Sequence, residues 1–176
     1  MFEWMIGGTL ILVAITASWF DLRERRVPNA LTIPSLGFAV LMGLADGLPG
    51  VGMALAGAAI CFLFALPLFL VGGLGGGDVK LLTAFGAFLG PQRLVSGFIA
   101  MALVGGVLAA VEMIRRRAVG RTFRNLFFMA MTLGRGTLTG WKKGDSDGWL
   151  TIHSAGAVTV PYALAISAGA VFAWFF

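Results

Sequence analysis

The chain has 176 residues, 59% of them hydrophobic and only 12% charged, with a mean hydropathy of +0.93. A soluble domain of this length could not hide so much apolar surface, so the composition excludes that class and indicates a polytopic membrane protein. The net charge is +5, but the basic residues gather at the ends of apolar runs, where they act as topology signals and make nucleic acid a poor candidate partner.

Residues 4–20 form the first charge-free segment. No basic group precedes it, and Arg23, Arg25 and Arg26 follow it, so it is expected to be retained and not removed as a secretory signal. Asp21 stands where this segment ends. Pro28 and Asn29 are expected to shape and cap the start of the second segment, 30–45. The third, 51–71, contains Cys61, the single cysteine, read as a small buried hydrophobe. One cysteine allows neither an intrachain disulfide nor a Cys-x-x-Cys metal site.

A glycine-rich stretch at 72–77 leads into Asp78 and a short fourth segment, 79–90. From Asp78 to Arg93 a helix reaches only about 24 Å, at ~1.5 Å per residue, against a hydrocarbon core of about 30 Å. The fifth segment is 94–111 and the sixth 157–176. Between them, at about 115–153, lies a loop carrying Arg115, Arg116, Arg117, Arg121, Arg124, Arg135, Lys142 and Lys143. A short interfacial helix is expected at 121–133, and His153 is read as a loop histidine. Gly86 and Gly90 are in small-xxx-small register, and Gly52, Gly57, Gly105 and Gly106 are expected at close helix contacts.

Charge decides whether the fourth segment crosses. With the arginines at 23–26 in the cytoplasm, the large basic loop is also cytoplasmic only if segments four and five both span. The expected fold is therefore all-α: one membrane-embedded domain over 1–176, with about six transmembrane helices and both termini outside, in the periplasm. An even number of crossings then separates Asp21 from Asp78, so both carboxylates lie in the cytoplasmic leaflet.

A carboxylate at the bilayer centre costs about 2.5–3.5 kcal/mol on insertion scales, which makes Asp78 a candidate functional group. Two carboxylates held close together cannot both ionise readily, so one keeps a proton while the other serves as base. That pair can activate water against an amide and protonate the leaving nitrogen, and this chemistry calls for no metal or cofactor. Gly75 and Gly77 leave room for a substrate backbone. Lys80 is read as a cation snorkelling from a helix end or as a supporting group near the site. Tyr162, the sole tyrosine, lines the cleft or sits at the membrane interface. The three arginines at 23–26 are read as topology anchors, and Glu24 as a solvated loop acid or a partner for a basic peptide.

Three stretches carry a resemblance: Asp21-Leu-Arg-Glu-Arg-Arg-Val-Pro-Asn29, Gly75-Gly-Gly-Asp-Val-Lys80, and Val160-Pro-Tyr-Ala-Leu-Ala-Ile166. Together they resemble the sequence blocks of type IV prepilin peptidases, a family of GxGD intramembrane aspartic peptidases. The likeness is greatest to the short members that serve tight-adherence (Flp-type) pili. The resemblance implies an endopeptidase of the bacterial inner membrane that removes short basic leaders from prepilins and pseudopilins at the cytoplasmic face, beside the pilus assembly machinery. It implies Asp21 and Asp78 as the catalytic pair. Longer members also methylate the new N-terminus and carry a cysteine-containing cytoplasmic insertion. Neither the insertion nor its cysteines are found here, so that second activity is not expected. The basic loop shows no likeness.

A different class competes: a small proton- or cation-coupled transporter using Asp21 and Asp78 as a relay. It predicts internal repeats and acids near the midplane. The two halves show no convincing repeat, and both acids fall towards one face.

Overall fold

The computed structural model describes residues 2–24, 26–70, 73–115 and 162–176. The basic loop beyond Arg115, the interfacial helix expected at 121–133 and the stretch 157–161 lie outside the described residues. Among the described residues the regular structure is entirely helical. It comprises α1 (Phe2–Glu24), α2 (Asn29–Gly43), α3 (Gly47–Leu70), α4 (Gly76–Leu89), α5 (Leu94–Arg115) and α6 (Tyr162–Phe175), with 3-10 turns at Leu44–Asp46 and Pro91–Arg93.

Long apolar runs become helices because hydrocarbon offers no partner for a free backbone N–H or C=O. Three described helical stretches are long and apolar enough to cross a membrane: Glu3–Glu24, Asn29–Leu70 and Pro91–Arg115. Burial follows the same solvent logic. Large side chains such as Trp4, Leu12, Ile15, Leu63 and Leu103 are more than half exposed, while Ala17, Ala65, Ala84, Ala163 and Ala173 are fully buried. Small residues inside and large apolar residues outside are the pattern of helices packed in lipid, where close backbone approach replaces the hydrophobic effect between helices. The chain is a membrane protein.

The contacts divide the chain into two units, residues 1–106 with 161–176, and residues 107–160. In the first unit α4 is central, packing on α1, α2, α3 and α6, while α1 pairs with α6. Of the second unit, the described part is the end of α5, where half-buried Glu112 and exposed Arg115 form a one-turn ion pair at 4.0 Å.

Two close crossings shape the first unit. Between α2 and α3 the chain turns without a loop: Gly47 adopts φ 73°, and a side chain on Gly43 would stand 2.8 Å from the Gly50 carbonyl oxygen. Between α3 and α4, Gly57 and Gly86 face each other so closely that a methyl on either would run into the other's carbonyl oxygen. Gly90 closes α4 with φ 63°. Not every glycine serves this purpose. Gly105 lies beside Ala165, but Gly52 and Gly106 meet nothing within 4 Å, so the close contact expected at those two is absent.

Candidate active site

The end of α1, the link to α2 and the start of α4 meet at one end of the first unit. They enclose a cavity of about 270 Å³ lined by Asp21, Arg26, Val27, Gly75, Gly76, Gly77 and Asp78. That is far more than the ~10–15 Å³ one water needs.

Asp21 does not end its helix. The α-helix runs one turn further, to Glu24, so the first acid sits within a formed turn of α1. It is 8% exposed, and its Oδ2 accepts a 3.0 Å hydrogen bond from the backbone N–H of Ala163 in the first turn of α6. The first N–H groups of a helix have no partner within it, so a carboxylate there satisfies an orphan donor and meets the positive end of the helix dipole. The last helix thus anchors the first acid.

Asp78 is placed by α4 itself. Gly75, in extended conformation with φ −78° and ψ 150°, is the N-cap residue, and the Asp78 side chain reaches back to accept from the Gly75 N–H at 3.3 Å. This is the carboxylate half of a capping box, with Asp78 as the third helical residue. Half-buried on the cavity wall, it lies within electrostatic reach of Asp21.

The glycines divide their roles. A side chain on Gly75 would sit 3.0 Å from the Asp78 carboxylate, so its absence keeps that oxygen uncrowded. Beside Gly77 the space is taken by the protein: a methyl there would lie 3.2–3.3 Å from the Val27 carbonyl oxygen, nitrogen and Cβ. The close backbone approach at Gly77 is therefore to the α1–α2 link, which presses the two walls together. Helix α4 starts at Gly76, so part of the glycine stretch already has its backbone bonds.

The expected capping at α2 is different in the structure. Pro28 is the N-cap residue, with no side-chain cap bond, and its carbonyl accepts from Leu31 and Thr32. Asn29 is the first helical residue, and its Oδ1 accepts a 2.8 Å bond from Lys80 Nζ. Proline at the cap leaves the asparagine amide free for this tertiary contact. Tyr162 opens α6, half-buried against the core, one residue before the N–H that holds Asp21.

The structure thus brings together Asp21, Asp78, Gly75 and Gly77, and keeps Lys80, Asn29, Pro28 and Tyr162 off the cavity lining. It adds Arg26, Val27 and Ala163. Arg26, read from the sequence as an anchor in preference to a substrate contact, is exposed on the cavity, whereas Arg23 stacks 5.6 Å from the Trp19 ring centroid.

Residues 8–110 match the model of the type IV leader peptidase family. The chain is 32% identical over 139 residues to the prepilin leader peptidase/N-methyltransferase of Bacillus subtilis (strain 168), covering 78% of this chain and 53% of that protein. It is 37% identical over 107 residues to the protein of that name from Aeromonas hydrophila, covering 57% and 36%. With that of Escherichia coli (strain K12) it shares 32% over 127 residues, covering 65% and 56%. The chain spans about a third to just over half the length of these relatives. No solved structure matches it.

Proposed function

The chain belongs to the type IV leader peptidase family, and from that premise we propose that it is a membrane aspartic endopeptidase acting on prepilins and pseudopilins of the Flp type. Its site opens to the cytoplasmic face of the inner membrane, beside the pilus assembly machinery, and it cuts between a short basic leader and the mature chain. One observation carries this reading: Asp21 and Asp78, from helices far apart in sequence, line one cavity with room for water and a stretch of substrate.

Such a pair hydrolyses an amide with water as the only co-reactant. The ionised carboxylate takes a proton from the water as its oxygen bonds to the scissile carbonyl carbon. The protonated carboxyl donates to the developing oxyanion. In the second half the C–N bond breaks and a proton passes to the leaving nitrogen. On this reading the proton is assigned to the pair and not to either acid. Leader cleavage is the activity assigned to the two carboxylates, and this assignment says nothing of methyl transfer.

The test is cleavage of a Flp-type prepilin by the chain in membranes. The parental protein is expected to shorten the substrate, and Asp21→Asn and Asp78→Asn to leave it intact. Processing at the parental rate by either variant would sink the mechanism. Uncut prepilin together with an ion flux that Asp78→Asn abolishes would favour a transporter.

A further inference from the structure

Lys80 and Asn29 are 51 residues apart, yet their side chains meet at 2.8 Å on the exposed side of the bundle. Among the described residues this is the one side-chain hydrogen bond that joins α2 to α4. We propose that it is a clasp that sets the spacing of the two acids: Lys80 and Asn29 are positioning residues for the Asp21–Asp78 pair and do not touch substrate. This role rests on the peptidase reading.

The two acids are held by different parts of the chain. Asp21 is tied to α6 through Ala163, and Asp78 to its own N-cap through Gly75. Neither bond fixes the distance between the acids. That distance depends on how the start of α4 sits against the α1–α2 link. On the buried side the fit is steric, with Gly77 against the Val27 backbone. Packing of this kind limits approach sharply, whereas against separation it offers only short-range, non-directional attraction. On the exposed side the Lys80–Asn29 bond adds a directional restraint, since it lengthens if the walls part.

The clasp is close to both acids in the chain. Lys80 lies two residues beyond Asp78 in the second turn of α4, so any tilt of the α4 start moves both. Asn29 is the first residue of α2, immediately after the Arg26–Val27–Pro28 link that leads from the end of α1. Its amide is available because Pro28, through its carbonyl, holds the first turn without a side-chain cap. Neither Lys80 nor Asn29 lines the cavity. Lysine is well matched to such a clasp, because its long stem reaches a neighbouring helix from an exposed position and an ammonium only donates.

The experiment compares steady-state cleavage of a Flp-type prepilin by the full chain and its Lys80→Met, Asn29→Leu and double variants. A small misplacement of catalytic groups costs on the order of tenfold to a hundredfold in rate, so each single variant is expected to lose about tenfold in kcat with KM unchanged. The double variant is expected to lose no more than either single one, because one bond is lost in every case. Lys80→Arg, which keeps a donor, is expected to recover most of the rate. Should Asn29→Leu fail to accumulate in membranes, Asn29→Ser, polar but too short to reach Lys80, carries the same expectation. Losses that multiply in the double variant, a defect confined to KM, or full activity of the Asn29 variants would overturn the clasp. In those cases cleavage by the parental chain and its loss in Asp78→Asn would leave the peptidase reading standing. A parental chain that cuts no prepilin overturns both.

Discussion

Asp21 and Asp78 differ in what holds them, and the difference predicts how their variants divide stability from activity. Asparagine keeps an acceptor at either position but cannot act as base or acid, so both Asn variants are expected to lose about 10²–10⁴-fold in cleavage rate. Alanine separates the two positions further. At 21 it strips the partner from the buried Ala163 N–H, and an orphaned buried donor costs about 1–3 kcal/mol. At 78 it releases only the half-buried Gly75 N–H beside it. Thermal unfolding in detergent should therefore rank Asp21→Ala below Asp21→Asn, with a smaller gap between Asp78→Ala and Asp78→Asn. Equal melting temperatures for the two Asp21 variants would contradict the anchoring of that acid by α6.

Between helices, stability depends on where backbones touch. Gly86 in α4 faces the Gly57 carbonyl oxygen and the Cys61 sulfur, the latter 2.7 Å from where a methyl would stand. Gly86→Ala must push α3 and α4 apart and is expected to lose about 1–3 kcal/mol, as overpacking does elsewhere. Gly52, also helical but with nothing within 4 Å, has no such constraint; Gly52→Ala is expected to be neutral or to gain about 0.4–1 kcal/mol by limiting the unfolded chain. The pair can be compared by the same unfolding assay, and a loss at Gly52 matching that at Gly86 would refute the contrast.

The same elements show what sequence alone could supply. Asp78 as a candidate and the helical class were legible because a charge in lipid and a long apolar run each have one dominant explanation; Asp21, beside the arginines, could equally have been an interfacial charge, and only the resemblance singled it out. Helix ends were less so: charge marks where hydrocarbon stops, not where hydrogen bonding stops, and α1 accordingly continues past Asp21 to Glu24. The glycines expected at close helix contacts looked alike, but only neighbours in space distinguish Gly86 from Gly52. The Ala163 contact had no signal at all, since a backbone donor is present at every residue but proline. Arg26 was not set apart from its two basic neighbours, because topology explains all three and a basic leader argues against contact with an arginine.

The arrangement of the spans in the bilayer follows from where the helix ends gather. The end of α1 and the start of α4 share one cavity, so the α2–α3 turn and the α4–α5 turn are expected at the other face. With Cys61 replaced by Ala, single cysteines at Glu24, Asp46 and Gln92, all exposed in the bundle, provide the measurement. An impermeant maleimide should label position 24 in inside-out vesicles, and positions 46 and 92 in right-side-out ones. Labelling of all three from one side would overturn the six-span arrangement and the cytoplasmic placement of the acids.

The tie between Ala163 and Asp21 joins residues 142 positions apart, and this has a consequence for biogenesis. A ribosome delivers both acids early and the donor that steadies one of them late. Until α6 has been threaded into the bilayer, the nascent protein carries Asp21 and Asp78 in an unfinished pocket. On the peptidase reading, competence to cut is expected only once α6 has docked, so that copies lacking it stay inert.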